Sequence, residues 1–245
     1  MSITLDALPD SHGATMEALQ RVATHVLARA RHTATGRFGL RATPGGFGTP
    51  SFGPEATRLR VSAGRLLRET TGADGASTTA IPLDGASLAE LAAFAGVDVT
   101  AAFSAGHDTV PLGEPDARLV IDPAALEAVG EWFHFVATVL DDVIATRPRS
   151  DASVAQLWPE HFDLALDLAA TPAIRVNVGG SPGDGHSAQP YLYVGPWTGD
   201  RPGGSELWDA PFGATLPYEA LTGRSDARAV AGGFIGSRLD ALGRA

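Results

Sequence analysis

Two neighbouring segments in the second half of the chain alternate apolar and polar residues, and this alternation is the strongest constraint on the fold. A period of two residues is typical of a strand with one buried face. Residues 169–172, which end in Pro172, separate the segments and indicate a turn. The pattern predicts an antiparallel hairpin over 161–179. Its apolar positions are Phe162, Leu164, Leu166 and Leu168 in the first strand and Ile174, Val176 and Val178 in the second.

The register of this hairpin follows from the requirement that both apolar sets share one face. A turn of three or five residues then places Leu166 opposite Val176 and Asp167 opposite Arg175. The other face is predicted to be polar. It would carry His161, Asp163, Asp167, Arg175 and Asn177.

Two interpretations of this polar face compete. In the structural one it is the solvated side of an antiparallel sheet, where Asp167 and Arg175 form a cross-strand ion pair. In the functional one it forms the floor of a pocket, with the Gly-rich loop 180–189 as the rim. His161 is then the ligand or general base and Asp163 its partner, so these two are the candidate catalytic residues. The candidate ligand-binding residues are Arg175, Asn177, Asp184, Tyr193 and Trp197.

A divalent metal is the candidate cofactor of such a pocket. His and carboxylate ligands two residues apart on a strand can hold zinc or iron, and the loop 180–189 can supply a third ligand. The predicted metal ligands are His161, Asp163 and His186, with Asp184 as an alternative third ligand. The sequence leaves the cofactor and the identity of the metal open.

Aromatic residues follow the loop. Tyr191, Tyr193 and Trp197 alternate with Leu192 and Val194, which predicts a strand with the aromatic rings on one face. The rings either line a small-molecule pocket or pack in the core, and we expect at least one tyrosine and Trp158 to be core residues.

Composition excludes several classes of function. The chain has no cysteine and no lysine, since all 18 basic residues are arginine, so thiolate and Schiff-base chemistry are excluded. A net charge of −10 argues against a nucleic-acid partner, which needs a basic surface. No apolar run reaches the roughly 20 residues of a membrane span, and the first residues lack the pattern of a secretory signal. We therefore expect a soluble, cytoplasmic protein with no nucleic-acid or membrane partner.

Helical periodicity appears in three places. Residues 14–31 predict an amphipathic helix with His25, Arg29 and His32 on its exposed side. Asp122 and Pro123 are a cap and a first-turn residue for a long helix over 123–145, and a last helix is expected over 226–242.

The first half of the chain also carries strand and loop signals. A hairpin turns near 62–64, and the Gly/Pro-rich segment 43–54 is either a surface loop or a flap that contacts a pocket through Phe47 and Phe52.

Together these elements predict a single α+β domain over residues 1–245. We expect a twisted, mainly antiparallel sheet of about six to eight strands, with the long central helix and the terminal helices packed on one face. Residues 147–155 are the one candidate internal boundary.

The segment 156–242 resembles a bacterial family catalogued as a domain of unknown function. The resemblance rests on a Trp-Pro-x-His-Phe-Asp motif over 158–163, on the Pro-Tyr-Leu-Tyr run 190–193 and on residues 216–220. It implies kinship but no activity, cofactor or catalytic residue.

Two functions are therefore expected from different classes. The first is a small-molecule enzyme with a polar, metal-assisted pocket built on the 161–179 hairpin and the 180–189 loop. The alternative is a non-catalytic small-molecule-binding or scaffold protein, in which the polar face is solvated or meets another subunit. The sequence leaves the oligomeric state open.

Overall fold

The computed structural model describes residues 4–72, 75–199 and 201–244 of the chain. These residues divide into two compact units. The N-terminal unit contains residues 8–134 and 157–162, and the C-terminal unit contains the described residues of 1–7, 135–156 and 163–245.

The N-terminal unit begins with a continuous helical rod. Helix α1 (His12–Val22) leads into a π-helical segment (Ala23–Ala28), and helix α2 (Arg29–Thr35) ends at Gly36, whose φ of 71° is the left-handed conformation that closes many helices. The predicted helix over 14–31 is thus confirmed and extends further in both directions.

The predicted exposure of His25 and Arg29 is wrong. Their exposed fractions are 4% and 5%, because the irregular segment that follows residue 96 covers this side of the rod. His25 Nε2 lies 2.8 Å from the carbonyl oxygen of Val110, and Arg29 donates to the carbonyls of Asp98 and Ala101. Only His32 is exposed as expected. His25 and Arg29 are buried because backbone carbonyls accept their hydrogen bonds. A pattern of apolar and polar residues does not predict such contacts.

The first sheet has five antiparallel strands in sequence order. They are β1 (Arg41–Thr43), β2 (Gly46–Gly48), β3 (Arg58–Ser62), β4 (Arg65–Gly72) and β5 (Gly75–Pro82). The predicted hairpin near 62–64 is the β3–β4 connection.

The Gly/Pro-rich segment 43–54 contributes to the core instead of forming a flap through Phe47. Phe47 lies in β2 with 0% exposure and packs edge to face on Phe133 and Phe162. Gly46 allows β2 to lie against β3, because a Cβ there would be 2.1 Å from the carbonyl oxygen of Val61.

Two more helices begin at capped residues. Helix α3 (Leu88–Ala95) starts at Ser87, which forms a capping box with Glu90. Helix α4 (Pro123–Thr146) starts after Asp122, whose carboxylate accepts from the backbone N–H groups of Ala124 and Ala125. The long helix predicted from Asp122 and Pro123 is therefore confirmed, and it ends one residue beyond the expected position.

The second sheet also has five antiparallel strands. They are β6 (Gln156–Trp158), β7 (Asp163–Thr171), β8 (Ile174–Ser181), β9 (Tyr191–Pro196) and β10 (Ala214–Pro217), in the order β10-β9-β8-β7-β6. The predicted hairpin is the β7–β8 pair. Its register differs from the expected one, since Asp167 lies opposite Asn177 and Leu166 opposite Val178.

This shift of two residues has a local cause. The pairing is irregular between Ala169 and Thr171, and the turn that joins the strands is correspondingly short. A shift by an even number keeps each side chain on its predicted face. Leu164, Leu166, Leu168, Val176 and Val178 are accordingly all buried.

Helix α5 (Ala227–Leu242) packs on strands β7, β9 and β10 within the C-terminal unit. Short 3-10 turns at Ser205–Leu207 and Tyr218–Ala220 precede it. The Arg228 guanidinium binds Asp142 of α4 through two hydrogen bonds, and Arg147, which directly follows α4, pairs with Asp240. Ion pairs therefore connect α5 with the C-terminal end of α4.

The predicted α+β class, with mainly antiparallel sheets and a long central helix, is confirmed. The strands are divided between two sheets, instead of forming the one sheet of six to eight strands that we expected. The extent of a single domain over 1–245 and a boundary near 147–155 stay predictions. Within residues 4–72, 75–199 and 201–244, no helix is both long and apolar enough to cross a membrane.

Candidate functional site

The candidate site lies on the polar face of the second sheet, in the C-terminal unit. One residue from each of three strands lies in a row on this face, since Gly179 of β8 lies opposite both Ala165 of β7 and Tyr193 of β9. The next row pairs Ser181 with Tyr191. The face opposite to the leucine and valine core therefore carries tyrosines, a serine and carboxylates.

Tyr193 crosses this face to reach Asp163. Its hydroxyl donates a hydrogen bond to Oδ2 of Asp163, which is the first residue of β7 and is only 7% exposed. The crossing requires Gly179, because a Cβ there would lie 2.9 Å from the Tyr193 hydroxyl and 2.6 Å from the carbonyl oxygen of Leu164. Glycine in the central strand thus leaves space for the tyrosine.

Tyr191 makes the corresponding contact with the loop. Its hydroxyl donates to Oδ2 of Asp184 at 2.6 Å, and the Ser181 hydroxyl approaches the same oxygen at 3.2 Å. The other oxygen, Oδ1, accepts from the backbone N–H groups of His186 and Ser187 at 2.8 and 3.2 Å. Asp184 therefore holds the loop in a defined turn, although the residue itself is exposed.

We call Asp163, Ser181, Asp184, Tyr191 and Tyr193 the tyrosine–aspartate cluster. Burial, together with the neighbouring carboxylates Asp184 and Asp163, raises the pKa of Tyr191 and raises that of Tyr193 well above its ordinary value. Both hydroxyls consequently stay protonated at physiological pH and act as hydrogen-bond donors. Neither is suited to accept a proton as a general base.

Aromatic rings border the cluster. The His186 ring packs edge to face on Tyr191, with centroids 5.3 Å apart, and on Phe212, with centroids 5.1 Å apart. Phe212 also contacts Tyr193 edge to face at 6.3 Å. Phe212 is 38% exposed and His186 is exposed, so two rings face solvent beside the exposed Asp184. The prediction that one tyrosine is buried is confirmed by Tyr191, at 5%.

Arg175, Asn177 and Trp197 form a second group on the same face. Arg175 donates to Asp167 and to Asp151, and its guanidinium lies 5.8 Å from the ring centroid of Trp197. The hydrogen bond to Asp167 raises the pKa of Arg175.

The polar groups of Arg175, Asn177 and Trp197 are already bound to other side chains of the protein. The Trp197 indole N–H donates to Asn177 at 2.9 Å. Because two carboxylates already neutralise Arg175, this group has the contacts of the solvated face foreseen in the structural interpretation. The Asp167–Arg175 pair is thus present, although across a diagonal instead of directly opposite.

His161 does not share a strand face with Asp163, contrary to expectation. It lies in an exposed turn, and β7 begins only at Asp163. Between them Phe162 adopts a left-handed backbone with a φ of 55°, and its ring is fully buried against Phe47 and Phe133. Phe162 is buried as predicted, but its left-handed backbone lies outside the strand conformation, so the alternation begins only at Asp163.

Trp158, expected in the core, is 38% exposed and contacts Phe38 edge to face. Phe162, four residues later in the chain, is instead fully buried in the core. Among the residues that the structure describes, no three His, Asp or Glu side chains are grouped so that they could hold a metal ion. His161, Asp163 and His186 are therefore not gathered into a metal site, and the predicted metal cofactor stays a prediction without geometric support.

Several residues of the site were missed by sequence reasoning. Phe212 belongs to no periodic segment, so no pattern identifies it. Gly179 resembles the other loop glycines until its strand neighbours are known. The sequence placed Ser181 in the loop and Tyr191 in the aromatic strand. That both hydroxyls contact Asp184 follows only from the pairing of β8 with β9.

Comparisons with models of known families, with curated proteins and with solved structures gave no significant match. The kinship suggested by the motif over 158–163 therefore stays a prediction.

Proposed function

We propose that this protein binds a small organic cation, such as an amine or a quaternary ammonium compound, at the tyrosine–aspartate cluster. The observation that carries the proposal is the environment of Asp184. This exposed carboxylate is held by hydrogen bonds from Tyr191, Ser181 and the backbone of the loop, beside the exposed rings of His186 and Phe212.

The chemistry of this arrangement favours a positive ligand. A cation within about 6 Å of an aromatic centroid is attracted by the electrons of the ring face, and a carboxylate adds direct charge attraction. Asp184 is already oriented by its partners, so little conformational freedom would be lost on binding. Arg175 on the same face is engaged with Asp167 and Asp151, and Arg201 beside Phe212 donates to the carbonyls of Thr198 and Phe212. These two guanidinium groups are therefore already partnered, which disfavours an anionic ligand.

The proposal belongs to the non-catalytic class of small-molecule binding. The small-molecule enzyme with a metal-assisted pocket stays a prediction. Its expected base, His161, lies in a separate exposed turn, and the two tyrosine hydroxyls hold their protons.

The test is a calorimetric titration with choline and with its uncharged carbon isostere. We expect choline to bind and the isostere to bind about tenfold more weakly or not at all, since only choline carries the charge. Asp184→Asn should weaken choline binding by a similar factor. Asp151→Asn is the matched control, because Asp151 is an exposed carboxylate of the same unit outside the cluster.

Equal binding of choline and its isostere would contradict the proposed charge recognition. Equal loss in both Asp variants would show that the attraction comes from the net charge of −10 and not from this site.

A further inference from the structure

The hairpin formed by β4 and β5 extends beyond the rest of the first sheet. Strand β3 pairs with β4 only from Ser62 opposite Arg65 to Arg58 opposite Glu69. Beyond Glu69 the sheet is a two-stranded ribbon, and β5 is exposed on both faces from Gly75 to Thr79. Two-stranded ribbons are marginally stable in water, so a further strand would stabilise this one.

The backbone groups that face outward along β5 can be assigned from one hydrogen bond. The N–H of Thr71 donates to the carbonyl of Glu55 at 2.7 Å, on the side of β4 away from β5. Thr71 and its partner Ala76 are therefore a pair without mutual hydrogen bonds, and the N–H and C=O of Ala76 point away from β4. Alternation gives Thr78 and Ala80 the same orientation.

A side-chain contact agrees with this assignment. The Arg65 guanidinium reaches the carbonyl of Ala80 from the edge at 3.3 Å, and that carbonyl lies on the outward side. The outer edge of β5 thus presents backbone donors and acceptors at Ala76 and Thr78, with the Ala80 carbonyl partly engaged.

This edge lacks the features that normally prevent strands from pairing. Exposed edges in monomers are usually short, charged, bulged or interrupted by proline. Strand β5 has eight residues, none of them charged, and its one proline is the last residue, Pro82. Its pairing with β4 is regular from end to end.

We infer that β5 is a self-association edge, on which a second copy of this chain adds its own β5 in antiparallel orientation. The sequence Ala76-Ser77-Thr78-Thr79-Ala80 is nearly the same in both directions. A two-fold axis through Thr78 therefore places Thr opposite Thr, Ser opposite Thr and Ala opposite Ala. All outward backbone groups then meet outward groups, as an interface between identical surfaces requires.

The side chains favour a second copy over a foreign peptide. Peptide-binding edges derive specificity from pockets for alternate side chains, and the exposed residues 75–79 of β5 are only Gly, Ala, Ser and Thr. Thr–Thr and Ser–Thr pairs across strands are themselves favourable. One strand pair buries less than the roughly 1,200 Å² of a stable interface, so the dimer is weak and depends on concentration.

Cross-linking tests the register directly, because the chain contains no cysteine. In Thr78→Cys the two new thiols would lie on the axis, with Cα atoms about 5.5 Å apart, which is within disulfide range. In the control Ala76→Cys the thiols lie four residues apart along the strands, about 14 Å, and cannot bond. We expect mild oxidation to give a covalent dimer of Thr78→Cys at least about tenfold faster than of Ala76→Cys.

Sedimentation velocity provides the second measurement. The unmodified protein should shift from monomer to dimer with rising concentration, and Thr78→Pro should raise the dissociation constant about tenfold or more, because the outward N–H is lost. This N–H does not bond β4, so circular dichroism should show the fold retained. Thr78→Lys is the second variant. It places two like charges on the axis and should also raise the dissociation constant of the dimer.

The inference would be overturned if the protein stayed monomeric up to about 1 mM. Equal cross-linking rates for the two cysteine variants would also overturn it, as would dimerisation unaffected by both Thr78→Pro and Thr78→Lys.

Discussion

Replacement of Tyr193 by Phe tests the energetic role of the tyrosine–aspartate cluster. The hydroxyl of Tyr193 donates to Asp163, whose side chain is only 7% exposed, so water cannot readily take its place. A hydrogen bond to a charged group contributes about 1.5–3 kcal/mol to stability when its loss leaves the acceptor buried. We expect Tyr193→Phe to lower the free energy of unfolding by this amount. For a chain of this size that is a fall in Tm of about 3–12 °C.

Tyr191→Phe is the matched control. It also removes one tyrosine hydroxyl from a carboxylate of the cluster, but its acceptor Asp184 is exposed and keeps bonds from Ser181 and the loop backbone. Water can replace the lost donor, so we expect a cost below about 1 kcal/mol. Urea denaturation followed by circular dichroism measures both variants, and equal m-values would show that both unfold from comparable states.

The double-mutant cycle with Asp163→Asn isolates the bond itself. If Tyr193 acts through Asp163, the cost of Tyr193→Phe should fall by about 1 kcal/mol or more in the Asp163→Asn background. Equal costs for the two tyrosine variants, or full additivity with Asp163→Asn, would refute the argument that burial of the acceptor sets the magnitude.

Two further predictions concern a glycine and a histidine. Gly179→Ala should cost about 1–3 kcal/mol in the same urea assay and displace the Tyr193 hydroxyl, because the added Cβ would lie 2.6 Å from the backbone oxygen of Leu164; an unchanged midpoint would contradict this. Burial and the nearby cations Arg29 and Arg21 lower the pKa of His25 from 6.5, so its contribution to stability is complete above pH 6.5 and is lost as the pH falls toward the lowered pKa. Tm measured from pH 7.5 to about 5 should fall less steeply in His25→Gln than in the parent, and identical slopes would contradict the assignment.

The sequence by itself determined the local features. Alternate side chains of a strand point to opposite faces, so the core positions of β7 and β8 follow from residue types alone, even with the register shifted by two. The start of α4 follows in the same way, because Asp122 meets the free N–H groups of the first turn wherever the helix packs. The first feature depends on the geometry of the strand backbone, and the second on a contact within one helical turn.

The tertiary structure decided what depends on distant partners. His161, predicted in the strand, lies outside it because Phe162, which follows, has a left-handed backbone and the strand begins only at Asp163. The ring of Phe162 packs on Phe47 and Phe133, which are remote in sequence. His25 and Arg29 became buried because carbonyls of a later, irregular segment accept their hydrogen bonds.

The candidate site shows the same division. Residue types and alternation predicted that Asp163 and Tyr193 lie on one polar face beside the 180–189 loop with Asp184, and the structure brings these side chains into one hydrogen-bonded cluster. Their role in a function stays a prediction. Which tyrosine meets which carboxylate depends on strand pairing, and Phe212 joins the rings from a loop without periodicity. Periodicity specifies the direction of a side chain, whereas only the folded chain brings its partner within reach of a hydrogen bond.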